Sequence, residues 1–135
     1  MSLRKFFLQF TLIYVGLLVA LALVLALFSI KSGSGGNTAA LLAAVMWSCL
    51  RYAKANGRYF SSTEKRSVVL GMLGIDVALQ TFVAAALIPW GATGVAIGVL
   101  LFSILFLSVL HAAVIWFFVG LTGKQFAKQM AASGG

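Results

Sequence analysis

Residues 6–30, FFLQFTLIYVGLLVALALVLALFSI, run for 25 positions without a charged side chain. At about 1.5 Å per residue a helix of this length reaches roughly 37 Å, enough to cross a hydrocarbon core about 30 Å thick with some tilt. Arg4 and Lys5 give the preceding residues the charge of a signal peptide. The apolar run is longer than the roughly 7 to 15 residues of a cleavable segment, however, and lacks a convincing small-residue cleavage site before Lys31. It reads as a retained spanning helix.

The whole chain shares this character. Its 135 residues are 62% hydrophobic and 9% charged, with a mean hydropathy of +1.09, whereas soluble domains carry about 25% charged residues. The expected fold class is therefore an all-α polytopic membrane protein, a four-helix transmembrane bundle forming one domain over residues 1–135. A net charge of +8 raises the question of nucleic acid. The cations lie at helix ends rather than along one face, which argues for orientation in a bilayer and no nucleic-acid partner. Cys49 stands alone, which excludes an intrachain disulfide and a cysteine metal cluster.

Further along, the stretch Lys31-Ser32-Gly33-Ser34-Gly35-Gly36 reads as a flexible turn with Asn37 as the next N-cap, and a second helix spans about 38–56. Its apolar part ends at Leu50, which is short for a crossing. Continuation to a C-terminal Gly57, with Arg51 and Lys54 snorkelling to the headgroups, lengthens it, and a re-entrant hairpin is the alternative. Ser61-Ser62-Thr63-Glu64 fits a capping box opening a third helix at about 62–89. Trp90-Gly91-Ala92 reads as a tight connection with Trp90 as an interfacial anchor. The fourth helix is expected over about 93–122, closed by Gly123, with residues 131–135 fraying.

Orientation follows from the cations. Arg4 and Lys5, then Arg51, Lys54, Arg58, Lys65 and Arg66, then Lys124 and Lys128 fall on one side, and only Lys31 on the other. Nine against one is a positive-inside bias that requires an even number of crossings, with both termini cytoplasmic. The middle-loop cations suit anionic lipid headgroups or a partner, and Tyr52, Tyr59 and Phe60 suit the membrane interface.

Lipid tails are as apolar as leucine, so helix association must rest on close packing and hydrogen bonds. Gly16 with Ala20, Ala39 with Ala43, Ala40 with Ala44, and Gly94 with Gly98 have small-xxx-small spacing. Gly71 and Gly74 also share a face. These are candidate packing positions, within the bundle or in a homodimer.

An aspartate at a helix centre costs roughly 2.5 to 3.5 kcal/mol on insertion scales, so Asp76 must face protein or water. Counted inward from the basic ends, Asp76 lies at about 15 Å, His111 at about 20 Å and Tyr14 at about 13 to 14 Å, and Gln80 is one turn from Asp76. The four form a candidate intramembrane polar node. It reads as interhelical glue, as a proton-exchanging or cation-binding site, or as a place for a partner's charged residue. No metal is expected, since His111 and Asp76 are an incomplete ligand set. Ser48, Thr81, Ser103 and Ser108 read as bonding back to helix carbonyls rather than as nucleophiles, and the glycine-rich turn lacks the ending of a phosphate loop. No cofactor and no enzymatic activity are expected.

Around the middle loop, Arg51, Asn56, Gly57, Arg58 and Thr63-Glu64-Lys65, together with Leu3-Arg4-Lys5, resemble a family of small, uncharacterised inner-membrane proteins of Gram-negative bacteria. The resemblance implies a four-helix protein of the bacterial inner membrane and no particular activity. Small multidrug exporters share the size and helix count, but their essential acid lies in the first helix, where this chain has none. Two roles remain: an accessory or interaction subunit of a membrane assembly, with a homodimer or another membrane protein as partner, and a small dimeric proton-coupled or cation transporter working through Asp76.

Overall fold

The computed structural model describes residues 1–29, 35–87 and 94–133. These form four helices: α1 (Leu3–Leu27), α2 (Gly35–Asn56), α3 (Ser62–Leu87) and α4 (Gly94–Ser133). Among the described residues three helices, α1, α3 and α4, are long and apolar enough to cross a membrane. The expected turn after residue 30 and the Trp90 connection lie outside the described residues.

Three of these ends have a local cause. The Ser2 hydroxyl accepts from the Lys5 N–H and caps α1. At α3 the Ser61 N–H donates to Glu64 Oε2 at 2.9 Å and the Glu64 N–H donates to Ser61 Oγ at 3.3 Å, the reciprocal pair read from the sequence. α2 stops at Gly57, whose φ of +62° is a left-handed conformation that glycine adopts without a Cβ penalty.

Several boundaries differ from expectation, the first being α1, which runs over Leu3–Leu27 rather than about 6–30. α2 opens at Gly35, so Asn37 is its third residue and not its cap. α4 passes straight through Gly123 to Ser133. A Cβ on Gly123 would meet the Tyr59 ring at 2.7 Å. The glycine thus serves a close ring-on-backbone approach, and the helix continues with Phe126 buried beside Tyr59.

α1 packs beside α2, α2 beside α4 and α4 beside α3, while α3 closes more loosely onto α1. One stripe per helix is buried: Phe6, Phe10 and Tyr14 on α1, and Ile115, Val119 and Thr122 on α4 below His111. On α2 the buried positions Leu41, Ala44, Val45, Ser48, Cys49, Tyr52 and Ala53 follow the 3.6-residue period of a helix. The aromatic residues of the middle loop do not form an interfacial belt. Tyr52 stacks on Phe60 with centroids 4.2 Å apart, and Phe6 meets both edge-on. The loop folds back beneath the helices, and its rings plug the basic end of the core.

Burial stops at one level. In residues 15–27 of α1, 77–86 of α3 and the described side chains of residues 94–110 of α4, none is buried. Leu27, Phe82, Phe102 and Leu105 are examples of large apolar side chains left outward there. An open groove of about 330 Å³ between α1 and α2 is lined by Leu17, Ala20, Leu21, Ala39 and Ala43, among others.

The packing glycines divide accordingly. A Cβ on Gly71 would stand 2.4 Å from the Phe7 ring, so α1 and α3 approach there as glycine allows. At Gly16, Gly74, Gly94 and Gly98 nothing among the described residues lies within 4 Å of a Cβ, and these positions turn outward from the described helices. Ala20 lines the open groove instead of a closed contact. Gly36, against Leu21, and Gly120, near Lys65 Nζ, are the close approaches that spacing did not single out.

Candidate functional site

The packed half ends in a layer of polar side chains. Asp76, the fifteenth residue of α3, His111, the eighteenth of α4, and Tyr14, the twelfth of α1, are all buried at 1% exposure or less. Residues beyond them on these helices are the outward apolar ones. α2 meets the layer with its first turn, through Asn37 and Thr38.

Asp76 is the hub. Tyr14 Oη donates to its Oδ1 at 2.6 Å. Gln80, one turn along α3, donates from Nε2 to Oδ2 at 2.7 Å, and His111 Nδ1 stands 2.7 Å from the same oxygen. Since a carboxylate only accepts, that imidazole nitrogen carries the hydrogen. Gln80 Nε2 and His111 Nδ1, 3.1 Å apart, are two donors converging on one oxygen rather than partners of each other.

The outer contacts bring in α2. His111 Nε2 lies 3.3 Å from Thr38 Oγ1, which donates to it when the ring is neutral and accepts from it when the ring is charged. Tyr14 Oη also lies 2.9 Å from the Asn37 amide. The phenol has one hydrogen, and the shorter charge-assisted bond to Asp76 competes for it with Asn37 Oδ1.

Every helix therefore contributes to one continuous chain of hydrogen bonds. A carboxylate in an apolar interior is tolerable only when its lone pairs are met. Here three donors from three helices meet them. Depth counting brought Asp76, His111, Tyr14 and Gln80 to one neighbourhood; it missed Asn37, read as a cap, and Thr38, read only as the start of a helix. Their polarity at the head of a helix was the available signal.

Among the described residues no group of three or more His, Cys, Asp or Glu could hold a metal. Ser103 and Ser108 donate back to the carbonyls of Val99 and Ile104 at 2.8 and 2.7 Å. Ser48 does not follow them, since its buried Oγ has no hydrogen-bond partner among the described residues.

The cations named from the sequence gather at the opposite end of the packed half. Arg58 forks onto Glu64, Nη1 to Oε2 at 2.7 Å and Nη2 to Oε1 at 2.9 Å, and this carboxylate holds the guanidinium above its ordinary range. With the Gln9 amide turned so that its oxygen faces Arg51, that oxygen accepts from Arg51 Nε and Nη1, each at 3.1 Å. Lys65 Nζ lies 4.7 Å above the Trp116 ring. Lys54 and Arg66 are exposed and form no ion pair among the described residues. Beneath them Tyr59 donates to the Val119 carbonyl, and burial pushes its phenol upward.

No family model, curated protein or solved structure matches the chain.

Proposed function

We propose that the chain is a membrane-resident helical subunit, crossing the bilayer four times with both termini and the basic loop on the cytoplasmic side of a bacterial inner membrane. The observation that carries this reading is the division of the molecule. Large apolar side chains point outward all along α1 and α4, while every described Lys and Arg lies at the end where residue 1, the loop after α2 and the end of α4 meet. Water would not tolerate the first feature, and lipid accounts for both. α2, the least apolar helix, crosses by keeping its polar and small residues toward its neighbours.

Within the membrane the chain acts as an accessory or interaction subunit. The Asp76 node, buried and met by donors from three helices, is suited to holding four helices in register. The same node leaves the outer faces free for another membrane protein or a second copy. The test is gentle extraction and affinity isolation of the full chain: a stoichiometric membrane partner, or a discrete homo-oligomer, supports the role, and a lone monomer opposes it.

A second reading has one observation in its favour. Gln80, Asn37 and Thr38 are only half-buried, so the node is shielded less toward the splayed ends of the helices than toward the core. In a transporter, Asp76 would exchange a proton or hold a cation from that side. Proton-linked flux in liposomes, abolished in Asp76→Asn, would establish it.

A further inference from the structure

The chain has ten Lys and Arg against two Asp and Glu, and the structure shows where both acids are spent. Glu64 is held bidentately by Arg58, and Asp76 is enclosed in the node. No side-chain carboxylate is left for the remaining cations. Arg4 and Lys5 on α1, Lys54 on α2, Arg66 on α3, and Lys124 and Lys128 on α4 are all exposed and make no ion pair among the described residues.

They are not scattered. The backbone carbonyl of Met1 accepts from Asn56, Phe6 packs on Tyr52 and Phe60, Lys65 covers Trp116, and Tyr59 lies against Phe126. These contacts bring the starts of α1 and α3 and the ends of α2 and α4 to one end of the bundle. Each helix thus brings at least one unneutralised cation to that end. A docked acidic protein would call for cations clustered on one face. Charges carried by all four helices, just past the apolar stretch of each, match a surrounding ring of phosphates.

The geometry points to a basic collar that binds the phosphate-bearing headgroups of anionic lipids, and these lipids supply the counter-charge that the chain lacks. The inference rests on the membrane reading proposed above. Lys124 and Lys128, one turn apart and both exposed near the end of α4, are its most direct probe.

The experiment places the full chain in phosphatidylcholine vesicles, and in vesicles where phosphatidylglycerol replaces part of that lipid, each with added sodium chloride or with inorganic phosphate at equal ionic strength. Flotation, thermal stability and the lipid retained on extraction are read. The expected result is insertion in both, higher stability and selective retention with phosphatidylglycerol, and no comparable gain from inorganic phosphate. A cation near an anionic leaflet contributes about a fivefold factor in affinity, so Lys124→Gln with Lys128→Gln lowers retention by about 25-fold. Insertion without preference between the lipids overturns the collar and leaves the membrane reading standing. Stabilisation by inorganic phosphate alone, or by an acidic peptide but not by phosphatidylglycerol, also overturns it. Failure to float with either vesicle removes both.

Discussion

His111 Nδ1 and Asp76 Oδ2 lie 2.7 Å apart between α4 and α3, in side chains exposed by 2% or less. The pair is the tightest polar tie between these helices and the hub through which α1 and α2 are also fastened. Removing one member takes from the other its closest partner in an apolar interior, and breaking a buried ion pair costs about 3 to 5 kcal/mol. His111→Leu and Asp76→Leu should each lower the unfolding free energy in micelles by an amount of that order. The double replacement should lose much less than the sum, and a strictly additive result would mean that the two do not act as a unit.

The close approaches at Gly71 and Gly123 make an opposite prediction to the open positions at Gly94 and Gly98. Gly71→Ala and Gly123→Ala force a methyl group against the rings of Phe7 and Tyr59 and should destabilise by about 1 to 3 kcal/mol. Gly98→Ala meets nothing and should be neutral or slightly stabilising, as a glycine removed from a helix interior normally is. Thermal melts of the three variants in one detergent decide it.

Glu64 serves the α3 capping box and Arg58 at once. Glu64→Gln keeps an acceptor for the Ser61 N–H and loses only the charge. Exposed pairs contribute little, so the variant should lose little stability, and less still at high salt. Glu64→Ala also removes the acceptor of the Ser61 N–H, half of the capping box, and should lose more stability than Glu64→Gln. Chemical unfolding at low and high salt separates the two.

Tyr59 provides a pH signature. Burial raises its folded-state value above the ordinary 10.0. Its contribution to stability is therefore full below pH of about 10 and is lost as pH rises through the folded value. Ultraviolet titration should show tyrosine that resists ionisation until the bundle opens, and Tyr59→Phe should shrink that step by one residue. Ordinary titration of Tyr59 in the folded protein would contradict the burial.

Much of this was legible in the sequence because the relevant signals are local. Uninterrupted apolar length marks α1, the Ser61 and Glu64 spacing marks the start of α3, and distance from the charged ends sets the depth of Asp76, His111 and Tyr14. What escaped depends on the partner across the gap. Gly123 resembles a helix stop until the Tyr59 ring is seen against it. Tyr52 and Phe60 suit an interface or a core equally well, and only the folding of their loop decides between these. The outward faces of Gly16, Gly94 and Gly98 follow from how far the helices splay, a property of the assembled bundle that no single segment carries.

The central claim is that outward apolar surface meets lipid, and α2 is where it is most exposed to test. Trp47, on the outward side of α2, is 64% exposed. With Trp90→Phe and Trp116→Phe it becomes the sole tryptophan, and its fluorescence in vesicles can be quenched by bromines on the acyl chains or by iodide in the water. The account predicts strong quenching by the brominated lipid and almost none by iodide. Iodide quenching with no effect of the bromines would place α2 in water and contradict it.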